Sequence, residues 1–164
     1  MTTTFTPEEY KSFQQFLEQA CGIVLGENKH YLVTSRLSRL KREHGLNSLQ
    51  ELVDRLKAPG SSQLKTRVIE AMTTNETLWF RDTYPFEVLS KTIFSEFREQ
   101  KKNNVRIWSA ACSSGQEPYS ISMVADEFAM HNLGFKVDVV ATDISQSILN
   151  EAREAKYDPL ALAR

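Results

Sequence analysis

The chain has 164 residues, of which 41% are hydrophobic, and its 20 basic side chains nearly balance its 21 acidic ones. This composition predicts a globular chain of one domain or two small ones, and the balanced charge argues against a nucleic-acid-binding protein, which needs a surplus of lysine and arginine. No apolar window approaches the roughly 18 residues of a membrane span, and residues 1–6 do not resemble a signal peptide, so we expect no membrane insertion and a soluble, cytoplasmic protein.

Potential metal ligands are scattered, and only one stretch concentrates charge. Cys21 and Cys112 each lack a second cysteine nearby, and the three histidines are far apart. Such spacing supports neither a disulfide framework nor a structural metal site, so no metal is predicted. Residues 29–42 hold five basic side chains and no acidic one.

The first 72 residues predict an all-helical domain. Thr6, Pro7 and Glu9 are typical of a helix start, and apolar residues then recur at helical spacing up to Gly22. Three further helices are predicted from near Asn28 to His44, from the capping box at residues 48–51 to a stop before Pro59, and over about residues 62–72. Four short amphipathic helices predict a small bundle.

Residues 73–84 separate this domain from a different pattern. They mix polar and aromatic side chains without periodicity, which predicts a connecting loop. From Pro85 a helix with one apolar face is predicted, and residues 101–104 end it. That face carries Phe86, Leu89, Ile93 and Phe97.

The remaining residues predict a βαβ unit. Its parts are a strand over residues 105–111, a turn over 112–118, a helix from Pro118 to about Met130, a strand over 135–141 and a helix from Ser145 toward Ala155. This order is typical of a parallel, doubly wound sheet. The predicted fold class is therefore α/β, preceded by the small helical domain.

Two carboxylates lie where such a sheet binds ligands. The carboxyl ends of the strands are the turn at residues 112–117 and Asp143. Asp143 is suited to accept hydrogen bonds from a ribose diol. Gly115 is the only glycine in residues 61–133, so neither GxGxxG nor a P-loop can form. An adenosine ligand without phosphates is favoured, and S-adenosylmethionine fits, because Glu117 can pair with its cationic amino-acid end.

Simpler explanations stand beside each of these assignments. Asp143 is equally suited to cap the helix that follows it, and Glu117 to complement a helix N-terminus. In the connecting loop, Trp79 and Phe80 are typical of packing between domains. The sequence alone leaves these alternatives open.

The basic stretch forms a ridge if it is helical. At 100° per residue, Arg36, Arg39 and Arg42 line up at i, i+3 and i+6 beside the apolar face. Runs of this kind are most often solvated flanks, so both a binding ridge and a flank stay open.

Three longer segments carry a more specific pattern. They are residues 75–82 (NETLWFRD), residues 106–120 (RIWSAACSSGQEPYS) and residues 141–145 (ATDIS). Together, and in this order, they strongly resemble the CheR family of chemotaxis receptor methyltransferases, over essentially the whole chain. Trp79 stands where the family usually has Phe and Gln116 where Glu is usual, and we expect little functional change from either.

The resemblance implies a domain layout and a cofactor site. The layout is a helical receptor-docking domain over residues 1–72, a linker and cofactor-lid loop over 73–84, and the first part of a Rossmann-like class I methyltransferase domain over 85–164. The implied cofactor is S-adenosylmethionine, without a metal, and the implied binding residues are Asn75, Thr77, Arg81, Glu117 and Asp143. Glu117 would hold the methionine amino end and Asp143 the ribose, while Arg81, the implied catalytic residue, would also orient the acceptor.

The resemblance also implies an acceptor. In the family it is a glutamate side chain on the cytoplasmic coiled-coil domain of a chemoreceptor, and the products are a glutamyl γ-methyl ester and S-adenosylhomocysteine. The basic helix with Arg36, Arg39 and Arg42 would dock on that acidic receptor helix. A glutamate with a pKa of about 4.3 is already ionised at neutral pH, so no general base is needed.

Two competing functions are a non-catalytic module that binds a receptor or regulator, and a class I methyltransferase acting on a small molecule. The basic helix and the full motif set disfavour the second. Residues 85–164 hold two predicted strands, whereas the resembled fold needs about seven and a larger domain. We therefore expect an inactive piece of a longer protein whose unpaired strand edges favour self-association.

Overall fold

The computed structural model describes residues 5–159, and the chain forms two compact units that divide between Thr73 and Thr74. The first unit is entirely helical, and the second mixes helices with strands. The predicted fold class, a helical domain followed by an incomplete Rossmann-like α/β domain, is confirmed. The last five residues, 160–164, which the sequence assigns to the second domain, lie outside the described part of the chain.

The first unit consists of four helices, as predicted. They are α1 (Pro7–Cys21), α2 (His30–Glu43), α3 (Leu49–Lys57) and α4 (Ser62–Met72). The hydroxyl of Thr6 accepts from Glu9 N while the Glu9 carboxylate accepts from Thr6 N, which is a complete capping box. Helix α1 then ends at Gly22, whose φ of 75° is left-handed.

Two helix starts differ in detail from the predictions. Helix α2 begins at His30, two residues later than expected, and its N-cap Lys29 makes no side-chain capping bond. At α3, Ser48 Oγ accepts from Glu51 N, but the Glu51 carboxylate accepts from Asn47 N instead of Ser48 N. The predicted capping box of α3 is therefore only half formed.

The core of the first unit joins all four helices. Its fully buried side chains come from α1, α2, α3 and α4: Phe13, Leu17, Val33, Leu37, Leu49, Leu52, Val53, Leu56 and Val68. Apolar residues at helical spacing thus meet in one cluster, and burying each large aliphatic or aromatic side chain contributes about 1.5–3 kcal/mol.

The second unit contains a two-stranded parallel sheet with helices before, between and after its strands. Its elements are α5 (Tyr84–Val88), a π-helical turn (Leu89–Phe94), α6 (Ser95–Glu99), β1 (Asn104–Ala110), α7 (Gln116–His131), β2 (Lys136–Thr142) and α8 (Gln146–Glu154). Asn104 pairs with Lys136 and Ala110 with Thr142. In parallel register, the carboxyl ends of both strands lie at one edge of the sheet.

The π-helical turn corrects one prediction. The regular helix expected from Pro85 would place Ile93 on the buried face, but Ile93 is 37% exposed and Phe94 is fully buried. A π turn adds one residue to the helical repeat, so the buried position moves by one residue along the chain. Phe94 then contacts Phe128 and Phe135 at ring distances of 5.3 Å.

The two faces of the sheet differ in burial. One face packs on α7 through Val105 and Ala125, which belong to the same cluster as Phe94. The other face is open: Trp108 is 69% exposed and Val140 43% exposed. The same face also carries the exposed Arg106–Asp138 ion pair. A sheet face that exposes large apolar side chains is a surface that another layer normally covers.

Candidate functional site

The turn between β1 and α7 reverses the chain sharply at the carboxyl edge of the sheet. Ala111 and Ser113 have φ values of 61° and 50°, and Gly115 has a φ of 98°. Positive φ at non-glycine residues is uncommon and costs about 1–2 kcal/mol per residue. Cys112 N extends the ladder by donating to Thr142 O at 2.9 Å. The neighbouring strand therefore holds the turn in this conformation.

Asp143 ties this turn to the start of α8. Its Oδ2 accepts from Ser113 N at 2.8 Å, and its Oδ1 accepts from Ser145 N at 2.9 Å. The N-cap of α8 is Ser145, whose hydroxyl accepts from Ile148 N, so Asp143 does not fill the capping role that the sequence left open. An ionised carboxylate offers about four acceptor positions, and two of them remain for a ligand.

Glu117 lies in the first turn of α7, at the same edge of the sheet, and is exposed. Its Oε1 accepts from the buried hydroxyl of Ser109, the penultimate residue of β1, at 2.6 Å. The hydrogen bond orients one oxygen and leaves the other for a cationic or hydrogen-bond-donating group. Its position also suits the positive end of the helix, so the helix-terminus alternative is compatible with the structure, and the cofactor role stays a prediction.

Neighbouring side chains pack so closely against residue 115 that any residue other than glycine would displace them. A Cβ atom there would lie 2.8 Å from the Tyr157 hydroxyl oxygen and 3.1 Å from both Ala152 Cβ and Tyr119 Cε2. Tyr157 also donates to Ser114 O at 2.7 Å. Sequence reasoning missed Tyr157, because it follows α8 and only tertiary packing brings its phenol to the turn.

Two hydrogen bonds connect residues 74–83, which we call the 74–83 segment, to the turn and to α7. Ser113 Oγ donates to Asn75 O at 2.7 Å. Phe80 N donates to Ser120 Oγ at 3.1 Å, and the fully buried Ser120 hydroxyl donates in turn to Gln116 O. The backbone of this segment therefore lies against the candidate site.

Hydrogen bonds connect some of the predicted cofactor residues to one another, in the case of Asn75 through its backbone carbonyl. Asn75 is connected through Ser113 to Asp143. Thr77 is half-buried and Arg81 exposed, and within residues 5–159 no hydrogen bond or ion pair joins either of them to a site carboxylate. Their assignment to the cofactor stays a prediction.

An aromatic cluster packs the 74–83 segment. The Trp79 ring stands edge-on to Tyr157 at 4.8 Å between centroids and tilts toward Tyr119 at 6.5 Å. The Trp79 Nε1 atom is buried and has no hydrogen-bond partner among the described residues. Trp79 therefore has a packing role, but these partners lie in α7 and in the chain after α8, within the same unit, and not in another domain as the sequence suggested.

The described residues contain neither a nucleophile suited to covalent catalysis at this edge nor a metal centre. Burial raises the pKa of the Cys112 thiol, and the nearby Asp143 carboxylate raises it further, so the thiolate is disfavoured. Residues 5–159 contain no group of three or more His, Cys, Asp or Glu side chains placed to hold a metal ion. In the same range, no helix is long and apolar enough to cross a membrane.

Comparison with family models assigns both units. Residues 8–73 match the model described as CheR methyltransferase, all-alpha domain, and residues 75–164 match the one described as CheR methyltransferase, SAM binding domain. The chain belongs to the CheR methyltransferase family. The resemblance seen in residues 75–82, 106–120 and 141–145 is thereby confirmed.

Curated CheR relatives share about half of their aligned residues with this chain. It is 54% identical over 160 residues to chemotaxis protein methyltransferase Cher2 of Pseudomonas putida. It is 53% identical over 160 residues to chemotaxis protein methyltransferase 1 of Pseudomonas aeruginosa, and 49% identical over 163 residues to a chemotaxis protein methyltransferase of Vibrio parahaemolyticus. The alignments cover 95–98% of this chain but only 58–59% of each relative.

The hydrogen-bond acceptors at the sheet edge fit S-adenosylmethionine. Asp143 and Glu117 both keep acceptor positions, which match the hydroxyl groups of a ribose and the ammonium of an amino acid. The turn holds a single glycine and lacks the amide cradle that a pyrophosphate requires. The residues present therefore suit an adenosine ligand without phosphates.

The predicted basic ridge on α2 divides into different environments. Arg36 is half-buried, and its Nη1 donates to Met72 O at 2.8 Å and to Thr73 O at 2.9 Å. Arg39 pairs with Glu43 at 2.8 Å with its side chain 85% exposed, and Arg42 is exposed.

Glu43 also pairs with Arg67 of α4. Hydrogen bonds from Arg67 and then from Arg39 lower the pKa of the Glu43 carboxyl to about 2. A shared carboxylate thus connects the ridge to a further arginine that the sequence analysis did not single out.

Proposed function

We propose that the full-length protein transfers a methyl group from S-adenosylmethionine to glutamate side chains on the cytoplasmic domain of chemoreceptors. The observation that carries the proposal is the pair of carboxylates, Asp143 and Glu117, which retain acceptor positions at the carboxyl edge of a CheR-family sheet. The relatives are chemotaxis protein methyltransferases, which supplies the reaction class and its setting.

In this proposal each site residue has a physical task. Asp143 accepts hydrogen bonds from the ribose, Glu117 pairs with the ammonium of the methionine end, and Asn75 and Thr77 line the cofactor from the 74–83 segment. When bound, S-adenosylmethionine supplies an electrophilic methyl group on a sulfonium. The buried Ser109 and Ser113 fix the two carboxylates before a ligand arrives, which limits the reorganisation that binding requires.

The acceptor requires alignment more than activation. A glutamate side chain is ionised at neutral pH, so its oxygen can attack without a general base. Arg81 is exposed on the 74–83 segment, where a guanidinium can hold the incoming carboxylate by two parallel hydrogen bonds. Orientation of this kind, together with exclusion of water, accounts for much of the rate enhancement in such transfers.

Receptor docking is assigned to the basic face of α2. Arg39 and Arg42 are exposed there, and an acidic receptor helix is the complementary surface. Association should weaken as salt shortens the Debye length from about 10 Å at 0.1 M.

We further propose that the 164 residues alone have little or no transferase activity and tend to self-associate. Their described part builds a two-stranded sheet with one open face, on which the apolar side chains of Trp108 and Val140 are exposed. About two fifths of each relative's length lies outside the alignment with this chain, which is room for the strands that a class I sheet requires. Light scattering and a methylation assay on the 164-residue chain test both statements, and a fully active monomer would contradict them.

The cofactor proposal is tested with Asp143→Ala in the full-length protein. Removing a charged acceptor should weaken S-adenosylhomocysteine binding by about 1.5–3 kcal/mol, or about 10- to 150-fold, by isothermal titration. Asp138→Ala is the matched control, because Asp138 lies on the same strand in an exposed ion pair with Arg106. Equal affinity of both variants would refute the ribose assignment, and no heat with the wild type would favour the adaptor function.

A further inference from the structure

We propose that Arg36 is a positioning residue that anchors the start of the 74–83 segment and so links the receptor-docking helix to cofactor affinity. The inference rests on the proposed function. It reassigns Arg36, which the sequence grouped with Arg39 and Arg42 as one docking ridge. The reason is that Arg36 already binds carbonyl groups within its own unit.

Arg36 binds the carbonyl groups at the C-terminal end of α4 and balances their partial negative charge. The last carbonyls of a helix have no partner inside the helix, and they form the negative end of its dipole. Helix α4 has no basic residue in its last turn. Arg36, from α2, supplies the missing cation with charge-assisted hydrogen bonds to Met72 O and to the C-cap Thr73 O. One guanidinium nitrogen, Nη1, makes both of these hydrogen bonds.

The anchored carbonyl lies very close in sequence to the candidate site. Thr73 is the last residue of the first unit, in an extended conformation. Asn75, two residues later, has its own carbonyl held by Ser113 Oγ, and Ser113 N is bound to Asp143. One residue, Thr74, therefore separates the two anchored carbonyls along the chain.

So short a connection has little slack. An extended residue spans at most about 3.6 Å, so a single intervening residue cannot absorb a large shift of Thr73. The Thr73 amide and hydroxyl also donate to carbonyl groups of α4. Releasing Arg36 therefore removes part of the anchoring at Thr73, and the Asn75 to Ser113 hydrogen bond then carries the added motion. Because Ser113 also orients Asp143, the expected consequence is weaker cofactor binding.

The neighbouring arginines serve as internal references. Arg42 is exposed on the same helix, two turns away from Arg36 in sequence. Arg39 is engaged with Glu43 at the surface. A residue that only contacts the receptor should behave like Arg42 when it is removed. A residue that positions the 74–83 segment should alter cofactor binding even when no receptor is present.

The experiment uses three variants of the full-length protein: Arg36→Ala, Arg36→Lys and, as the matched control, Arg42→Ala. S-adenosylhomocysteine affinity is measured by isothermal titration without receptor, alongside thermal unfolding and binding to a receptor cytoplasmic fragment. We expect Arg36→Ala to weaken S-adenosylhomocysteine binding by at least about 5-fold, the lower end for coupling between sites. Arg36→Lys should recover part of the loss, and Arg42→Ala should weaken receptor binding alone.

Each other outcome overturns the inference in an identifiable way. Unchanged cofactor affinity with reduced receptor binding would make Arg36 an ordinary docking residue. A lower melting temperature with unchanged cofactor affinity would make it only a helix cap. If Arg36→Ala does not fold, Arg36→Lys decides, because an affinity equal to that of the wild type would refute the requirement for a guanidinium. Absence of binding by the wild type itself would overturn the proposed function as well.

Discussion

Replacing Gly115 with alanine should destabilise the protein and weaken cofactor binding together. At φ 98° an alanine pays the left-handed penalty of about 1–2 kcal/mol. Its Cβ would also lie 2.8 Å from the Tyr157 hydroxyl, which is itself held by Ser114 O, and 3.1 Å from Ala152 Cβ. Overpacking of this kind costs a further 1–3 kcal/mol or so. The expected loss is therefore about 2–5 kcal/mol.

Gly134→Ala separates the two contributions. Gly134 has a similar φ of 82°, but nothing lies within 4 Å of a Cβ built on it, and it precedes β2 at the opposite end of the strand from Asp143. Only the backbone penalty of about 1–2 kcal/mol should appear there. Urea unfolding of the two full-length variants then measures the packing contribution as their difference.

Cofactor binding gives the second measurement. The turn at Gly115 carries Ser113, which orients Asp143, so Gly115→Ala should lower S-adenosylhomocysteine affinity while Gly134→Ala should not. The two variants could instead have equal free energies of unfolding and equal affinities for S-adenosylhomocysteine. That result would show that close packing of Gly115 against Tyr157 and Ala152 contributes to neither stability nor cofactor binding.

Two other substitutions probe single contacts. Tyr157→Phe removes the hydrogen bond to Ser114 O and should cost about 1 kcal/mol in urea unfolding at neutral pH. The phenol is protonated at that pH, since the ordinary tyrosine pKa is about 10 and burial raises the pKa of Tyr157 further. Glu43→Gln should be less stable than the wild type above pH 4.5, because Arg67 and Arg39 lower the pKa of the Glu43 carboxyl to about 2. That difference should shrink as the pH falls from 4.5 toward 2, and a difference independent of pH would refute the ion-pair contribution.

Local signals predicted the helices of the first unit well. The capping box at Thr6 and the left-handed Gly22 are short-range features, and the structure shows both. The same holds for α8, whose start at Ser145 follows from a hydroxyl beside an amphipathic run. Helix caps depend on residues that are close in sequence, so the sequence predicts them without tertiary information.

Features that depend on distant residues were not predictable in the same way. Periodicity assumes a uniform helical repeat, so it could not show the π turn that buries Phe94 in place of Ile93. The position of Arg36 depends on where α4 ends relative to α2, and the role of Tyr157 on how the chain after α8 returns to Gly115. Sequence spacing placed Asp143 and Glu117 at the correct edge because parallel strands share that edge by geometry.

The two tryptophans have different surroundings, so their intrinsic fluorescence can be distinguished. Trp79 packs edge-on to Tyr157 with its indole nitrogen buried, whereas Trp108 is 69% exposed. Emission from the first should lie at shorter wavelength and gain energy transferred from nearby tyrosines, and emission from the second should be red-shifted and accessible to quenchers such as iodide. In the 164-residue chain, replacing Trp108 with phenylalanine would leave Trp79 as the one tryptophan, whose lifetime and anisotropy would report movement of the 74–83 segment without any attached dye.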